Sequence, residues 1–85
     1  MRDIRAEAEQ IAKAIGADIQ GRSRKPHLVE KRQIVMWELR RRHFKTVQIG
    51  KLFGITHSTV IHAAKKINGL IGIGDQVVLN EIKKL

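Results

Sequence analysis

Apolar residues recur along this chain at spacings of three and four, the pattern that places them on one face of a helix. Residues 2–15 show this pattern first, and Gly16 follows as a helix end. Residues 27–43 form a longer and more apolar segment behind Pro26, a residue type favoured in the first turn of a helix. The pattern therefore predicts a supporting helix over 2–15 and a central helix over 27–43.

Residues 46–68 hold two shorter apolar stripes on either side of Gly54. Glycine adopts the left-handed conformation that ends many helices without a steric penalty. Thr46 is placed to cap the helix before this glycine, and Thr56 or Ser58 is placed to cap the helix after it. These signals predict two helices joined by a tight turn, with the second helix reaching about residue 68.

The spacing around Gly54 favours a helix-turn-helix over the alternative, an ordinary helical hairpin in a small bundle. Two helices that cross closely need a small residue at the crossing, and Gly50 lies four positions before the turn glycine. Phe53 and Ile55 flank the turn, and Val60 lies where the second helix points back at the first. The residues expected to be buried together are Ile49, Phe53, Ile55, Val60 and Val35.

Residues 69–85 contain three closely spaced glycines and then one more apolar segment. The glycines predict a hinge over 69–74, and Asp75 is placed to cap a final helix over 76–84. Together the segments predict an all-α fold of five or six helices, forming one domain over 1–85. The predicted buried side of the last helix comprises Val77, Val78, Ile82 and Leu85.

The chain has 85 residues, a length that suits one small domain with one core. Its 17 Lys and Arg residues outnumber 8 Asp and Glu residues, which gives a net charge of +9 at pH 7. Residues 21–45 alone hold nine basic and two acidic residues, a net charge of +7. This concentration favours a polyanionic partner, and a basic solvated face without a partner is the alternative.

In a helix-turn-helix, the start of the second helix enters the major groove and contacts base edges. The residues there that are not assigned to the core share an outer face. The short basic loop over 21–26 is expected to grip phosphates. The predicted base contacts are Thr56, His57, Ser58, Thr59, Ile61 and His62, with Lys65 on the same face.

The residue pattern does not support reactive or metal-binding chemistry. The chain has no cysteine, which excludes disulfides and thiolate zinc sites. His57 and His62 are five positions apart and so lie on different faces of a helix, and no acidic residue nearby completes a triad with Ser58. A Gly-x-x-x-x-Gly-Lys-Ser/Thr phosphate loop is also missing. We therefore expect a non-enzymatic protein with no metal, cofactor or small-molecule substrate.

We expect neither a secretory signal peptide nor a membrane-spanning segment. The charged N-terminus has no apolar core of the signal-peptide type, and no apolar run is long enough to span a bilayer. We expect a cytoplasmic, nucleoid-associated protein without a membrane partner.

Two other classes of nucleic-acid-binding protein remain open. Residues 69–72, Gly-Leu-Ile-Gly, match the four-residue loop of a KH-type RNA-binding module, although no alternating strand accompanies them. A non-specific nucleoid-type DNA binder would also explain the charge, but it has no need of an ordered recognition helix.

Several short runs resemble the C-terminal DNA-binding domain (domain IV) of the bacterial replication initiator DnaA. The most specific run is His-Ser-Thr-Val-Ile-His-Ala at 57–63, which opens the recognition helix in that family. The other matching runs are 21–25, 29–33, Ile49-Gly50, Phe53-Gly54 and Lys66-Ile67, so the resemblance covers nearly the whole chain.

The resemblance implies an all-helical, Trp-repressor-like domain that binds a short asymmetric box of double-stranded DNA in replication initiation or its regulation. It implies that His57, Ser58 and Thr59 meet bases and phosphates in the major groove. It also implies a basic side chain in the neighbouring minor groove, for which Arg24 and Lys25 are the candidates. The expected contacts to the DNA backbone or minor groove are Arg22, Arg24, Lys25, Lys31, Arg32, Gln33, Lys45 and Lys65.

The chain departs from the family's usual residues at two positions. Thr56 replaces an acidic residue, and Glu30 replaces an arginine, so the box is expected to differ from the usual initiator box. A full initiator carries an ATPase module ahead of this domain. We therefore expect ATP binding only if the chain is part of a longer initiator, and a fragment and a stand-alone relative both fit the sequence.

Overall fold

The computed structural model describes residues 2–21 and 24–85, and this part of the chain forms helices without a strand. The predicted all-α fold is therefore confirmed, and α3 and α4 form the helix-turn-helix. The helices are α1 (Ile4–Ile15), α2 (Pro26–Arg41), α3 (Thr46–Phe53), α4 (His57–Gly72) and α5 (Gln76–Ile82).

Helix α2 lies at the centre, as predicted, because it packs against α1, α3 and α4. Val35 and Leu39 are fully buried in it, and Ile49 of α3 and Val60 of α4 are fully buried in the same cluster. Burying one large aliphatic side chain stabilises a fold by roughly 1.5–3 kcal/mol, so this cluster fixes how the helices cross. Phe53 and Ile55 were expected in the same core, but they are only partly buried at its edge.

Most helix ends lie where the sequence indicates. Gly16 and Gly54 have φ angles of 71° and 69° and end α1 and α3 in the left-handed conformation. Pro26 opens α2. The prediction that Thr46 caps α3 is wrong, because the helix already begins there and Lys45 is the cap residue.

Helix α4 continues four residues beyond its predicted end, through Gly69 and Gly72. The predicted hinge over 69–74 is therefore wrong for its first four residues. Each glycine costs a helix about 1 kcal/mol relative to alanine. Leu70 and Ile71, the residues between these two glycines, are partly buried against the core, and this packing offsets that cost. The left-handed residue that precedes α5 is Gly74, with a φ angle of 77°.

Helix α5 is capped as predicted, since the Asp75 carboxylate accepts a hydrogen bond from the Val78 N–H at 3.0 Å. Val78 is fully buried and Ile82 is partly buried. The expected burial of Val77 and Leu85 is wrong, because their exposed fractions are 64% and 38%. The helix is only seven residues long and presents a single narrow face to the core.

None of the helices within residues 2–21 and 24–85 has the length and apolar character required to cross a membrane.

Candidate nucleic-acid interface

The turn between α3 and α4 is closed by a direct approach of backbone to backbone. The Ile55 N–H donates to the Gly50 carbonyl at 2.9 Å. A Cβ atom at Gly50 would lie 2.7 Å from the Ile55 carbonyl oxygen, closer than such atoms approach. Only glycine therefore fits at the crossing, and this confirms why a small residue precedes the turn by four positions.

Thr56 caps α4, one of the two alternatives that the sequence left open. Its hydroxyl accepts a hydrogen bond from the Thr59 N–H at 3.3 Å and lies 3.0 Å from the Thr59 hydroxyl. Ser58 lies inside the first turn of the helix and does not cap it. The Thr56–Thr59 pair fixes the start of the helix while leaving both residues exposed.

The outer face of α4 is exposed along its first three turns. Val60 and Ala63 are buried on the opposite face, which packs on the core. The predicted base-contact residues that share the exposed face are Thr56, His57, Ser58, Thr59, Ile61 and His62, and Lys65 continues the same face.

The predicted backbone-contact residues fall into two groups. Arg24, Lys25, Lys45 and Lys65 have exposed side chains. Arg22 lies outside the described residues. The Lys25 carbonyl accepts hydrogen bonds from the Leu28 and Val29 N–H groups, both at 3.0 Å, so the exposed pair Arg24 and Lys25 joins directly onto the start of α2.

The second group, Lys31, Arg32 and Gln33, lies on α2 and already has partners within the protein. The Lys31 ammonium donates to the Ile15 carbonyl at 2.9 Å and lies 3.8 Å from the Glu81 carboxylate. A guanidinium N–H of Arg32 donates to the Gly21 carbonyl at 2.7 Å. The Gln33 side-chain oxygen accepts from the Lys66 ammonium at 2.9 Å. These three residues therefore hold parts of the protein together. Their predicted contacts with DNA stay predictions.

Lys51, an exposed cation on α3, is not among the contacts predicted from the sequence. Its side chain lines a shallow cleft between Gly21 of the α1–α2 connection and Gly54 of the turn. In a helix-turn-helix, the first helix crosses the DNA backbone. The position of Lys51, three residues before the turn glycine, therefore marks it in the sequence as a candidate phosphate contact.

The basic end of α2 is organised around one buried carboxylate, Glu38, which is 2% exposed. Arg41 Nε and Arg42 Nε donate to its two oxygens at 2.7 and 3.0 Å. Burial acts to raise the pKa of Glu38, but the hydrogen bonds from these two arginines outweigh burial and lower the pKa below its ordinary value. Arg40 donates to the Phe44 carbonyl at 2.9 Å. The arginines at this end of α2 therefore make their hydrogen bonds within the protein and stabilise the fold.

Trp37 is partly buried at the edge of the core. Its indole N–H donates to the side-chain oxygen of Asn68 at 2.7 Å. This bond joins α2 to the second half of α4.

Comparison with known proteins adds an independent line of evidence. Residues 9–67 match the family described as the bacterial dnaA protein helix-turn-helix. The chromosomal replication initiator protein DnaA of Kosmotoga olearia is 42% identical over 69 residues, which cover 80% of this chain and 15% of that protein. The same protein from Borrelia turicatae is 40% identical over 58 residues, covering 66% of this chain and 12% of that protein.

The chain spans at most 15% of the length of these curated relatives. The family match extends from the middle of α1 to the second half of α4 and so includes α3, the turn and the start of α4. The chain therefore belongs to the bacterial DnaA helix-turn-helix family, whose C-terminal domains bind DNA in replication initiation.

Proposed function

We propose that this chain, acting as one domain, binds a short box of double-stranded DNA through the start of α4, in replication initiation or its regulation. The observation that carries the proposal is the division of α4 into two faces. One face carries Val60, Ala63 and Ile67 into the core, and the other presents polar side chains over the first turns. Such a helix start fits the major groove of B-form DNA.

The side chains at this helix start supply the chemistry that base edges require. The His57 imidazole and the Ser58 and Thr59 hydroxyls are donors and acceptors for base nitrogens and oxygens. Ile61, with 37% of its surface exposed, supplies an apolar contact suited to the thymine methyl group. His62 extends the polar face by one more turn. Thr56 contributes mainly by holding Thr59 in place.

Exposed cations on several elements suit the phosphate backbone. Arg24 and Lys25 precede α2, Lys45 precedes α3, and Lys65 follows the polar face of α4. Phosphate contacts position a protein on DNA without reading sequence, whereas the base contacts of α4 select the box. Either Arg24 or Lys25 is the candidate for the neighbouring minor groove.

The competing classes of nucleic-acid binder have less support. The KH-type alternative needs residues 69–72 as a loop, and those residues lie within α4. A non-specific nucleoid-type binder explains the charge but leaves the ordered start of α4 without a role. ATP binding and ATP-dependent assembly are proposed only for a longer protein that contains this chain.

In vitro selection from a library of random duplex DNA tests the proposal. We expect a single short asymmetric motif to be enriched, and we expect it to bind at least 10³-fold more tightly than random duplex at physiological salt. Single-stranded DNA and RNA of the same sequence serve as competitors. Recovery of no motif, with equal binding to all duplexes, would leave the nucleoid-type alternative. Stronger competition by RNA would favour the RNA-binding class.

A further inference from the structure

Three consecutive residues of α4 meet the rest of the protein in different ways. Ile67 is fully buried in the core that the helices share. On one side of it, the Lys66 ammonium donates to the Gln33 side-chain oxygen of α2 at 2.9 Å. On the other side, the Asn68 side-chain oxygen accepts from the Trp37 indole N–H of α2 at 2.7 Å. Two side-chain hydrogen bonds therefore join α4 to α2 on either side of Ile67.

The two hydrogen bonds lie on opposite flanks of the place where the helices cross. Lys66 and Asn68 are two positions apart, which separates them by about 200° around the helix axis. Gln33 and Trp37 are four positions apart, so they share one face of α2 and lie one turn apart along it. Helix α2 thus lies across α4 with one bond on each side, and α4 packs more extensively on α2 than on α3 or α5. This arrangement opposes rotation of α4 about its own axis.

Rotation of α4 would displace the side chains that are proposed to contact bases. The ends of helix side chains lie about 5–6 Å from the axis, so a rotation of about 20° moves them by about 2 Å. A shift of this size breaks a hydrogen bond of ordinary length. A helix rotates as one body over a few turns, because its consecutive turns are hydrogen-bonded to each other. A constraint at residues 66–68 therefore also acts on His57 and Ser58, about two to three turns earlier in the same helix.

We propose that Trp37 and Asn68 are positioning residues for base recognition, which act by setting the rotation of α4 about its axis. The proposal rests on the proposed function, because this rotation matters only if the start of α4 contacts base edges. Apolar burial is non-directional and decides which face of α4 is buried, whereas a hydrogen bond has a preferred distance and angle and so fixes the rotation more closely. Gln33 is itself a predicted contact to DNA, so the Trp37–Asn68 bond is the one to test.

Two single substitutions remove this bond from either end. Trp37→Phe removes the indole N–H and keeps an aromatic ring beneath the Arg41 guanidinium, which lies 5.5 Å from the centroid of the Trp37 ring. Asn68→Ala removes the acceptor at an exposed position. A typical hydrogen bond favours its own arrangement by a factor of about 2 to 10. We therefore expect each variant to lower the ratio of affinities for selected and random duplex by roughly threefold.

The affinity for random duplex separates positioning from direct contact with DNA. Binding to random duplex depends on phosphate contacts, so positioning predicts a change of less than about twofold in either variant. An equal loss of affinity for both duplexes would indicate that Trp37 or Asn68 contacts the DNA backbone and would overturn the proposal. An unchanged ratio in Asn68→Ala would also overturn it, even if Trp37→Phe failed to fold.

The double variant tests whether the two residues act through their shared bond. If they do, Trp37→Phe combined with Asn68→Ala lowers the ratio no further than either substitution alone. If each residue contacts bases independently, the two losses multiply, and this result would overturn the proposal.

Two further variants serve as rescue and control. Asn68→Asp keeps an oxygen acceptor for the indole N–H, so the ratio should return to within about twofold of the wild type. Asn80→Ala is the matched control, because the exposed Asn80 side chain accepts a similar bond from Gln76 at 2.9 Å, but within α5. Its ratio should also stay within about twofold of the wild type. A loss in Asn80→Ala equal to that in Asn68→Ala would contradict a special role for the α2–α4 bond.

Hydrogen exchange of the indole N–H supplies a readout without DNA. Trp37 is the only tryptophan in the sequence, so its indole N–H gives a single resonance. We expect this hydrogen to exchange faster in Asn68→Ala than in the wild type, and equal exchange would overturn the proposal. A wild-type chain that bound selected and random duplex equally would instead overturn the proposed function, which the wild-type titration shows before any variant is compared.

Discussion

The end of α2 and the start of α4 are both polar surfaces, but their side chains have different partners. At the end of α2, Arg41 and Arg42 are bound to Glu38, and Arg42 also lies 3.3 Å from Glu7. At the start of α4, the side chains of His57 and Ser58 are exposed. At the end of α2, the charged side chains pair with one another within the protein. At the start of α4, the surface carries little charge, but its side chains are accessible to a ligand.

This difference shows that the density of charge in a sequence does not tell which side chains the fold itself engages. Residues 21–45 hold most of the positive charge, yet several of those cations satisfy carboxylates and carbonyls of the protein. A buried carboxylate such as Glu38 needs its arginine partners, because an unpaired buried charge is strongly destabilising. Substitutions in the two regions should therefore affect different properties. Those at the end of α2 should lower the free energy of unfolding, and those at the start of α4 should weaken the binding of DNA.

The largest expected effect is that of Glu38→Ala on stability. It removes the acceptor shared by Arg41 and Arg42 and leaves a cavity beside the core, while the two arginines left behind are partly exposed, so we expect the free energy of unfolding to fall by about 2 kcal/mol. Urea unfolding followed by circular dichroism measures it. The folded fraction should keep the wild-type preference for the selected duplex. A stability loss below about 0.5 kcal/mol would place this network among ordinary surface ion pairs.

Ser58→Ala should show the reverse pattern. Ser58 is exposed and does not cap α4, so the free energy of unfolding should change by less than about 0.5 kcal/mol. Loss of its hydroxyl from the base edges should weaken binding to the selected duplex by roughly 1–3 kcal/mol and leave binding to random duplex nearly unchanged. Fluorescence anisotropy with labelled duplexes gives both affinities. An equal loss of affinity for both duplexes would indicate that Ser58 contacts the DNA backbone and does not recognise bases.

Lys65→Ala and Arg42→Ala sharpen the comparison, because each removes one positive charge. Loss of a phosphate contact at Lys65 should flatten the log–log dependence of affinity on salt by about 0.9. Arg42 is engaged with Glu38 and Glu7, so its removal should lower stability and leave the salt slope unchanged. Titrations at four salt concentrations give the slopes. Equal changes in slope for both variants would contradict the division between the two surfaces.

The smallest expected effect is on stability in mild acid. The hydrogen bond from Arg2 lowers the pKa of Glu7, and those from Arg41 and Arg42 outweigh burial and lower the pKa of Glu38. Both folded pKa values lie below the ordinary 4.5, so the stability they supply is complete above that pH and is lost as the pH falls through the folded values. Urea unfolding between pH 6 and pH 3 should show this loss, with a shallower dependence in Glu38→Gln. A stability that did not fall below pH 4.5 would contradict this assignment.

The helix-turn-helix was predictable because its geometry depends on a few residues at fixed spacing. Gly50 allows the close approach of the Ile55 carbonyl, Gly54 adopts the left-handed conformation, and Val60 is fully buried. The run through Gly69 and Gly72 was not predictable, because tertiary packing of Leu70 and Ile71 outweighs the local preference of glycine. The exposure of Val77 was not predictable either, since periodicity alone does not tell how wide a face a seven-residue helix buries.

The candidate site was predictable in one part only. The outer face of α4 follows from helical periodicity once Val60 is assigned to the core. The internal partners of Lys31 and Arg32 come from residues at least ten positions away in sequence, at Ile15, Gly21 and Glu81. The neighbouring sequence does not tell whether a basic side chain binds a distant carbonyl of the protein or a phosphate of DNA.

The ratio of affinities for selected and random duplex, measured for the wild type and for His57→Ala at one salt concentration, tests the central claim most directly. His57 is exposed at the first position of α4, where base edges are within reach. We predict that His57→Ala lowers this ratio by roughly tenfold or more while binding to random duplex and the free energy of unfolding stay unchanged. An unchanged ratio would contradict recognition of DNA sequence by the start of α4.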